Sequence, residues 1–142
     1  MTVDDLKRMY DRWMEMWNGR PELADELVAP GCPIHQPPND LRGPEGVRQM
    51  VAMGRAPFRE ITFRVEVGPI VAGTQLAARW TCEGVYEGGI PGATAAPGTR
   101  ITFGGIDIWR VENGKIAEYW VSSDGLHLMA QLGVGQHPAV RT

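Results

Sequence analysis

Two alternating apolar runs, Ile101 to Val111 and Lys115 to Ser123, flank Glu112-Asn113-Gly114, and this arrangement restricts the fold more than any other stretch. Asn-Gly favours two successive positive φ values, so it closes a two-residue type I′ turn between antiparallel strands. With that turn as the pivot, Val111 opposes Ile116, Trp109 opposes Glu118, Asp107 opposes Trp120, Gly105 opposes Ser122 and Phe103 opposes Asp124. Opposed residues share a face. Phe103, Asp107, Trp109, Glu118, Trp120 and Asp124 are therefore expected on one side, with Ile106, Ile108, Tyr119 and Val121 on the other. Neither side is purely polar or apolar. A curved sheet that wraps a ligand on its hollow side and is covered outside has this pattern; a half-exposed sheet does not. A one-residue slip would send one strand's side chains to the opposite face.

Upstream, the periodicity is helical. Val3 to Asn18 places Val3, Leu6, Met9, Tyr10, Trp13, Met16 and Trp17 at the spacing of an amphipathic helix. Thr2 is its N-cap candidate and Asn18-Gly19 its stop. A short helix is expected from Pro21 to about Val28, then an extended piece from Cys32 to Pro38, then a helix opening at Gly43-Pro44-Glu45 with Val47, Met50 and Val51 inward. Ile61 to Val67 alternates as a strand, and Val71 to Tyr86 is long enough for another, with a turn at Gly73-Thr74. Glu87 to Thr99, rich in Gly and Pro, reads as a loop, either a lid or a surface excursion. Helices first and strands afterwards imply an α+β fold, with helices packed on one face of an antiparallel sheet.

Composition narrows the function classes. A chain of 142 residues fits a single domain, 1–142, around one core. The net charge of −3, with no Lys/Arg run, argues against a nucleic-acid partner. No apolar run is long enough to span a bilayer, and the acidic start, Met1-Thr2-Val3-Asp4-Asp5, lacks the blocks of a signal peptide. A cytoplasmic protein without a membrane partner is expected. Cys32 and Cys82 read as buried hydrophobes, and His35, His127 and His137 lie too far apart for a zinc-like cluster, so no metal is expected.

The candidate chemistry centres on carboxylates. Asp124 ends the last strand just before Leu126–Leu132. A carboxylate there is expected to project among Trp120 and other apolar side chains, and burial would make it a proton acceptor near neutral pH. Asp is also a good helix N-cap, and the two roles are compatible. Asp107 is the second acid/base candidate, with an ion pair to Arg79 or Arg100 as the structural alternative. Four strand positions, about 13 Å, separate it from Asp124, which suits opposite ends of a multi-ring substrate. His35 is a candidate proton shuttle or substrate donor, Glu118 a rim ion-pair partner, and Trp120, Phe103 and Trp17 candidate substrate contacts.

Several stretches resemble the SnoaL-like polyketide cyclases of the nuclear transport factor two-like superfamily. They are Met14-Glu15-Met16-Trp17-Asn18-Gly19, Leu23 to Pro30, Ile34-His35-Gln36-Pro37 and Gly43-Pro44-Glu45-Gly46-Val47. The strongest runs from Gly105 to Ile116 and continues through Glu118-Tyr119-Trp120 to Asp124 and Gln131-Leu132-Gly133. The resemblance implies a cone-shaped α+β barrel of curved sheet and helices around an internal pocket, usually as a homodimer or homotetramer. It implies an aldol-type cyclisation in which Asp124 is the acid/base, without metal or organic cofactor. The related hydroxylases use two aspartates, to which Asp107 and Asp124 would correspond. The Gly-hydrophobic-Pro-Pro-x-Gly loop pattern is only partly kept, as Gly89-Ile90-Pro91-Gly92. Gly105, where limonene-type epoxide hydrolases carry arginine, counts against epoxide hydrolysis. The expected activity is ring closure or isomerisation of a small hydrophobic carbonyl compound, assisted by His35 or a fixed water. Cofactor-independent hydroxylation and a purely ligand-binding or dimerisation module are the alternatives.

Overall fold

The computed structural model describes residues 1–135; His137 lies outside them. Helix α1, Val3–Trp17, begins at a full capping box: Thr2 accepts from the Asp5 amide while the Asp5 carboxylate accepts from the Thr2 amide. Those two bonds satisfy amides that a helix start otherwise leaves unpaired. Its apolar stripe buries Leu6, Met9, Tyr10, Trp13 and Met16. The expected second helix is split into a 3₁₀ turn, Pro21–Leu23, and α2, Ala24–Leu27. Strands β1, Pro33–Gln36, and β2, Asn39–Arg42, form a small hairpin and lead into α3, Gly43–Arg55. The long strands β3, Phe58–Ala72, and β4, Gln75–Tyr86, turn at Gly73-Thr74. Strands β5, Arg100–Glu112, and β6, Lys115–Ser123, follow, and α4, Gly125–Leu132, closes the described chain.

The six strands form one sheet in the order β2-β1-β6-β5-β4-β3, antiparallel except where β1 runs parallel to β6. Three register shifts break the β3–β4 ladder, one of them beside Glu60 with φ 51°. Extra residues of this kind bend a strand and increase its twist, and here they curve the sheet over α1. This is the cone-like α+β fold that the resemblance implied. The main core joins α1, the strand–helix segment from Leu23 to Val51, and the inner faces of β3 to β6.

Asn18 fixes the helix to the sheet: its amide nitrogen donates to Phe63 O at 2.9 Å, and its Oδ1 accepts from Phe63 N at 2.7 Å. Arg55 adds a 2.7 Å bond from Nη1 to the Trp17 carbonyl at the end of α1. The Glu87–Thr99 loop is also tied down. Thr94 and Ala95 donate backbone bonds to Leu132 O, and Ile90, Ala93 and Ala95 pack with Tyr86, Ile101, Leu128 and Leu132. It is a clasp on α4 at the end of the sheet.

One expectation about the sheet is corrected. The Asn113-Gly114 turn forms as expected, with φ values of 52° and 77°, and Val111 opposes Ile116. Immediately beyond, β6 carries a bulge: Arg110 opposes Glu118, Trp109 opposes Tyr119, Ile108 opposes Trp120 and Asp107 opposes Val121. Ile116 and Tyr119, three residues apart, are therefore both buried, while Trp120 and Glu118 turn to the outer face. The cause is packing. Tyr119 meets Trp13 edge-on at 4.9 Å and donates to Asp107, contacts that strict alternation would deny it.

Candidate active site

Asp107 lies on the inner face of β5 with 2% of its surface exposed. It sits above an aromatic cluster in which Tyr10 and Trp13 pack on Trp109 at 5.4 and 5.3 Å. Tyr119 donates its hydroxyl to Oδ1 at 2.7 Å; Tyr10 at 2.8 Å and the Trp13 indole at 3.2 Å donate to Oδ2. Neither arginine proposed as an ion-pair partner reaches it, and Arg79 instead faces Glu66 at 3.4 Å. Burial therefore dominates and pushes the carboxyl up to about 6, against the downward pull of the bonds from Tyr119, Tyr10, Trp13 and the Trp80 indole. Burial, and then the charge of Asp107, hold the Tyr10 and Tyr119 hydroxyls above their ordinary range, so both remain donors.

In front of this carboxyl opens a cavity of about 260 Å³. Its walls are Met14, Trp17, Met50, Met53, Phe63, Trp80, Phe103 and Val121, with polar atoms from Asp107, Tyr119, Gln36, Asn39 and Ser123. An apolar cavity of roughly 150 Å³ holds benzene, so this one has room for a compact bicyclic compound. Trp80 owes its place in the wall to Gly105, the residue it opposes on β5. A Cβ at Gly105 would collide with the Trp80 ring and lie 2.7 Å from Ser122 O. The missing arginine of the epoxide hydrolase pattern thus has a structural counterpart: an indole fills that space.

The residues singled out in the sequence divide into two groups. Asp107, Phe103 and Trp17 come together in the cavity. Asp124, His35 and Trp120 do not. Asp124 is exposed and is the N-cap of α4, accepting from the His127 amide at 3.3 Å, so the expectation that it projects into an apolar interior is corrected. The reason is the bulge in β6, after which the Asp124 amide bonds to Gly104 O and the chain turns away into α4. His35 and Trp120 pair on the outer face, stacked at 5.2 Å, and His35 Nε2 lies 2.7 Å from Glu118. His35 and Arg110 together hold the Glu118 carboxyl below its usual range, the rim pairing expected for it.

Sequence reading missed Tyr10, Trp13 and Tyr119 as ligands of Asp107, and Trp80, Gln36 and Asn39 as cavity residues. Tyr119 had no local signal, because only the bulge at Ala117 turns it to the side that Ile116 occupies. Both cysteines are free and buried, and burial pushes their thiols up to about 11 for Cys32 and about 12 for Cys82, which makes them poor nucleophiles. Among the described residues, no group of three His, Cys, Asp or Glu could hold a metal ion, and no helix is long and apolar enough to cross a membrane.

A sequence model of the SnoaL-like polyketide cyclase family matches residues 7–132. Among solved structures, TsrD from Streptomyces laurentii is 27% identical, with a TM-score of 0.82 over 94% of this chain and 98% of its own. IdmH from Streptomyces antibioticus, assigned as a polyketide cyclase, is 26% identical, with a TM-score of 0.76 over 90% of this chain and 98% of its own. AclR from Streptomyces galilaeus, assigned as a hydroxylase, shares the fold at 19% identity, with a TM-score of 0.78 over 93% of this chain and 98% of its own. No curated protein matches the sequence significantly.

Proposed function

Because the chain belongs to the SnoaL-like polyketide cyclase family, we propose that it is an acid/base enzyme acting on a small hydrophobic carbonyl compound, with Asp107 as the proton-transfer group. The observation that carries this is a carboxyl at the inner wall of an apolar cavity, hydrogen-bonded by neutral donors alone and pushed up to about 6. Such a group is ionised enough at neutral pH to accept a proton and basic enough to hold it, the condition for efficient general-base catalysis. Removing a proton α to a carbonyl gives an enolate. The enolate then closes a ring by aldol addition or takes the proton back at another carbon. Asp107 supplies the base itself, and the apolar walls keep water from competing.

The test uses 2-tetralone, a bicyclic ketone of suitable size. Incubated with the protein in D₂O, it should exchange its α-hydrogens faster than in buffer, read by proton NMR. Asp107→Asn should lose about 10²–10⁴-fold of that acceleration, the usual contribution of a positioned base. Exchange no faster than in buffer, or full exchange by the variant, would remove the reading.

A second reading, ligand binding without chemistry, is favoured by one observation: both oxygens of Asp107 are already occupied by donors. It predicts binding of 2-tetralone with no exchange. The homodimer or homotetramer implied by the resemblance would use the outer face of the sheet. There Ile70, Ile106 and Ile108 stay exposed beside the Arg79–Glu66 and Arg110–Glu118 pairs, charges of both signs that a symmetric copy can meet. Sedimentation of Ile108→Lys against the parent chain tests it, and an unchanged mass would exclude that face.

A further inference from the structure

Removing an α-proton leaves negative charge on the carbonyl oxygen, and that charge needs a donor within the cavity. His35, the helper expected from the sequence, points outward. Its neighbour does not. In β1, Ile34 pairs with Tyr119 and His35 with Trp120, both in parallel register. Alternation along the strand puts Ile34 and Gln36 on the inner face, and the same register, carried one step further, sets Gln36 beside Val121. Val121 in turn opposes Asp107 on β5. Gln36, Val121 and Asp107 therefore form one row across three adjacent strands, with about 10 Å between the outer Cα positions at the usual strand spacing. Gln36 and Asp107 both line the cavity, and the small apolar Val121 lies between them.

A second carboxamide stands next to Gln36. Asn39, across the β1–β2 hairpin, donates its amide nitrogen to Gln36 Oε1 at 3.5 Å and also lines the cavity. The Gln36 carboxamide carries an NH₂ group, the donor that a carbonyl oxygen in the cavity requires. Among the described residues, no Lys, Arg or His lines the cavity. A substrate with a free carboxylate or phosphate would find no counter-charge there.

We propose that Gln36 donates a hydrogen bond to the carbonyl oxygen of a neutral ketone while Asp107 exchanges the adjacent proton, so that these two residues read the two ends of one carbonyl–α-carbon unit. This rests on the function proposed above and adds to it the substrate's charge and the residue that holds its oxygen. The step balances within the pair. The α C–H bond breaks and its proton passes to the Asp107 carboxylate. The bonding electrons form the C=C of the enolate, and the charge on oxygen is held by Gln36 Nε2. Reprotonation reverses the order.

The experiment compares 2-tetralone with tetralin, the same skeleton without the oxygen, by quenching of Trp17 and Trp80 fluorescence. The parent chain should bind the ketone about tenfold more tightly than the hydrocarbon, the worth of one net hydrogen bond. Gln36→Leu should abolish that preference while keeping its affinity for tetralin, and α-deuteration should slow in kcat as well as KM. Gln36→Met, which preserves side-chain length, should behave in the same way. A preference that survives both substitutions overturns the proposal; so does equal binding of the two compounds by the parent chain, or binding of neither. Asp107→Asn should keep the ketone preference while losing deuteration. A parent chain that prefers the ketone through Gln36 but exchanges no hydrogen would sink the role of Asp107 and leave Gln36 as a recognition residue.

Discussion

Ionising Asp107 works against the fold, and the size of the effect follows from its surroundings. Its carboxyl is pushed up from the ordinary 3.8 to about 6, mainly by burial. At about 1.4 kcal/mol per pKa unit, that gap is worth about 3 kcal/mol. The folded state holds the proton more tightly than the unfolded chain, so this contribution to stability is fully present below pH 3.8 and is lost as pH rises through about 6. Asp107→Asn removes the titration while keeping the shape. It carries a fixed cost of its own, because an amide NH₂ must then face donors such as the Trp13 indole. The informative quantity is therefore the stability of the variant minus that of the parent, measured by urea unfolding at intervals from pH 4 to pH 8. Carboxylates elsewhere titrate alike in both chains and cancel. The difference should move in favour of the variant by about 2 kcal/mol between pH 4 and pH 7.5, most steeply near pH 5, midway between the unfolded and folded values. A flat difference would refute the burial argument and, with it, the use of Asp107 as a base.

Two further outcomes follow from the geometry. Asn18→Ala removes both bonds to the Phe63 backbone and leaves a partly buried amide and carbonyl unpaired. It should cost about 1–3 kcal/mol in chemical denaturation, and a loss below measurement error would show that water replaces the side chain there. His35→Ala and Asp124→Asn act outside the cavity, so both should leave the α-deuteration rate within about twofold of the parent; Asp124→Asn should also leave the melting temperature nearly unchanged, since Asn caps a helix as well as Asp. A hundredfold loss would restore the acid/base role that the resemblance gave Asp124, or the proton-shuttle role read for His35.

Local signals were legible and tertiary ones were not. Thr2 and Asp5 announce the start of α1, and Asn113-Gly114 the hairpin, because a cap and a type I′ turn depend only on residues within a few positions. The inner stripe of α1 was also readable, so Tyr10 and Trp13 stood correctly in the core. The β6 bulge was not. Nothing in Ala117-Glu118 requires it, and its stabilisation comes from Tyr119 against Trp13 and Asp107, contacts with residues far away in the chain. The prolines at 37 and 38 likewise concealed the β1–β2 hairpin, because proline lowers the strand signal in any reading by propensity. These two omissions had opposite effects on the site. The bulge sent Trp120 and Asp124 away from the cavity, and the hairpin brought in Gln36 and Asn39.

Strand β6 can be compared to a printed line whose reading frame changes at Ala117. Before that letter, Ile116 belongs to the sequence of inward words; after it, the inward words begin again at Tyr119. Pairing Ala117 into a regular ladder would restore one frame throughout and exchange the tyrosine that touches Asp107 for a tryptophan, whereas deleting Ala117 would close the bulge and keep the tyrosine inward. The lining therefore depends on Ala117 staying out of the ladder: a strand of the same length paired without the bulge would share the outline and present a different set of side chains to whatever it encloses.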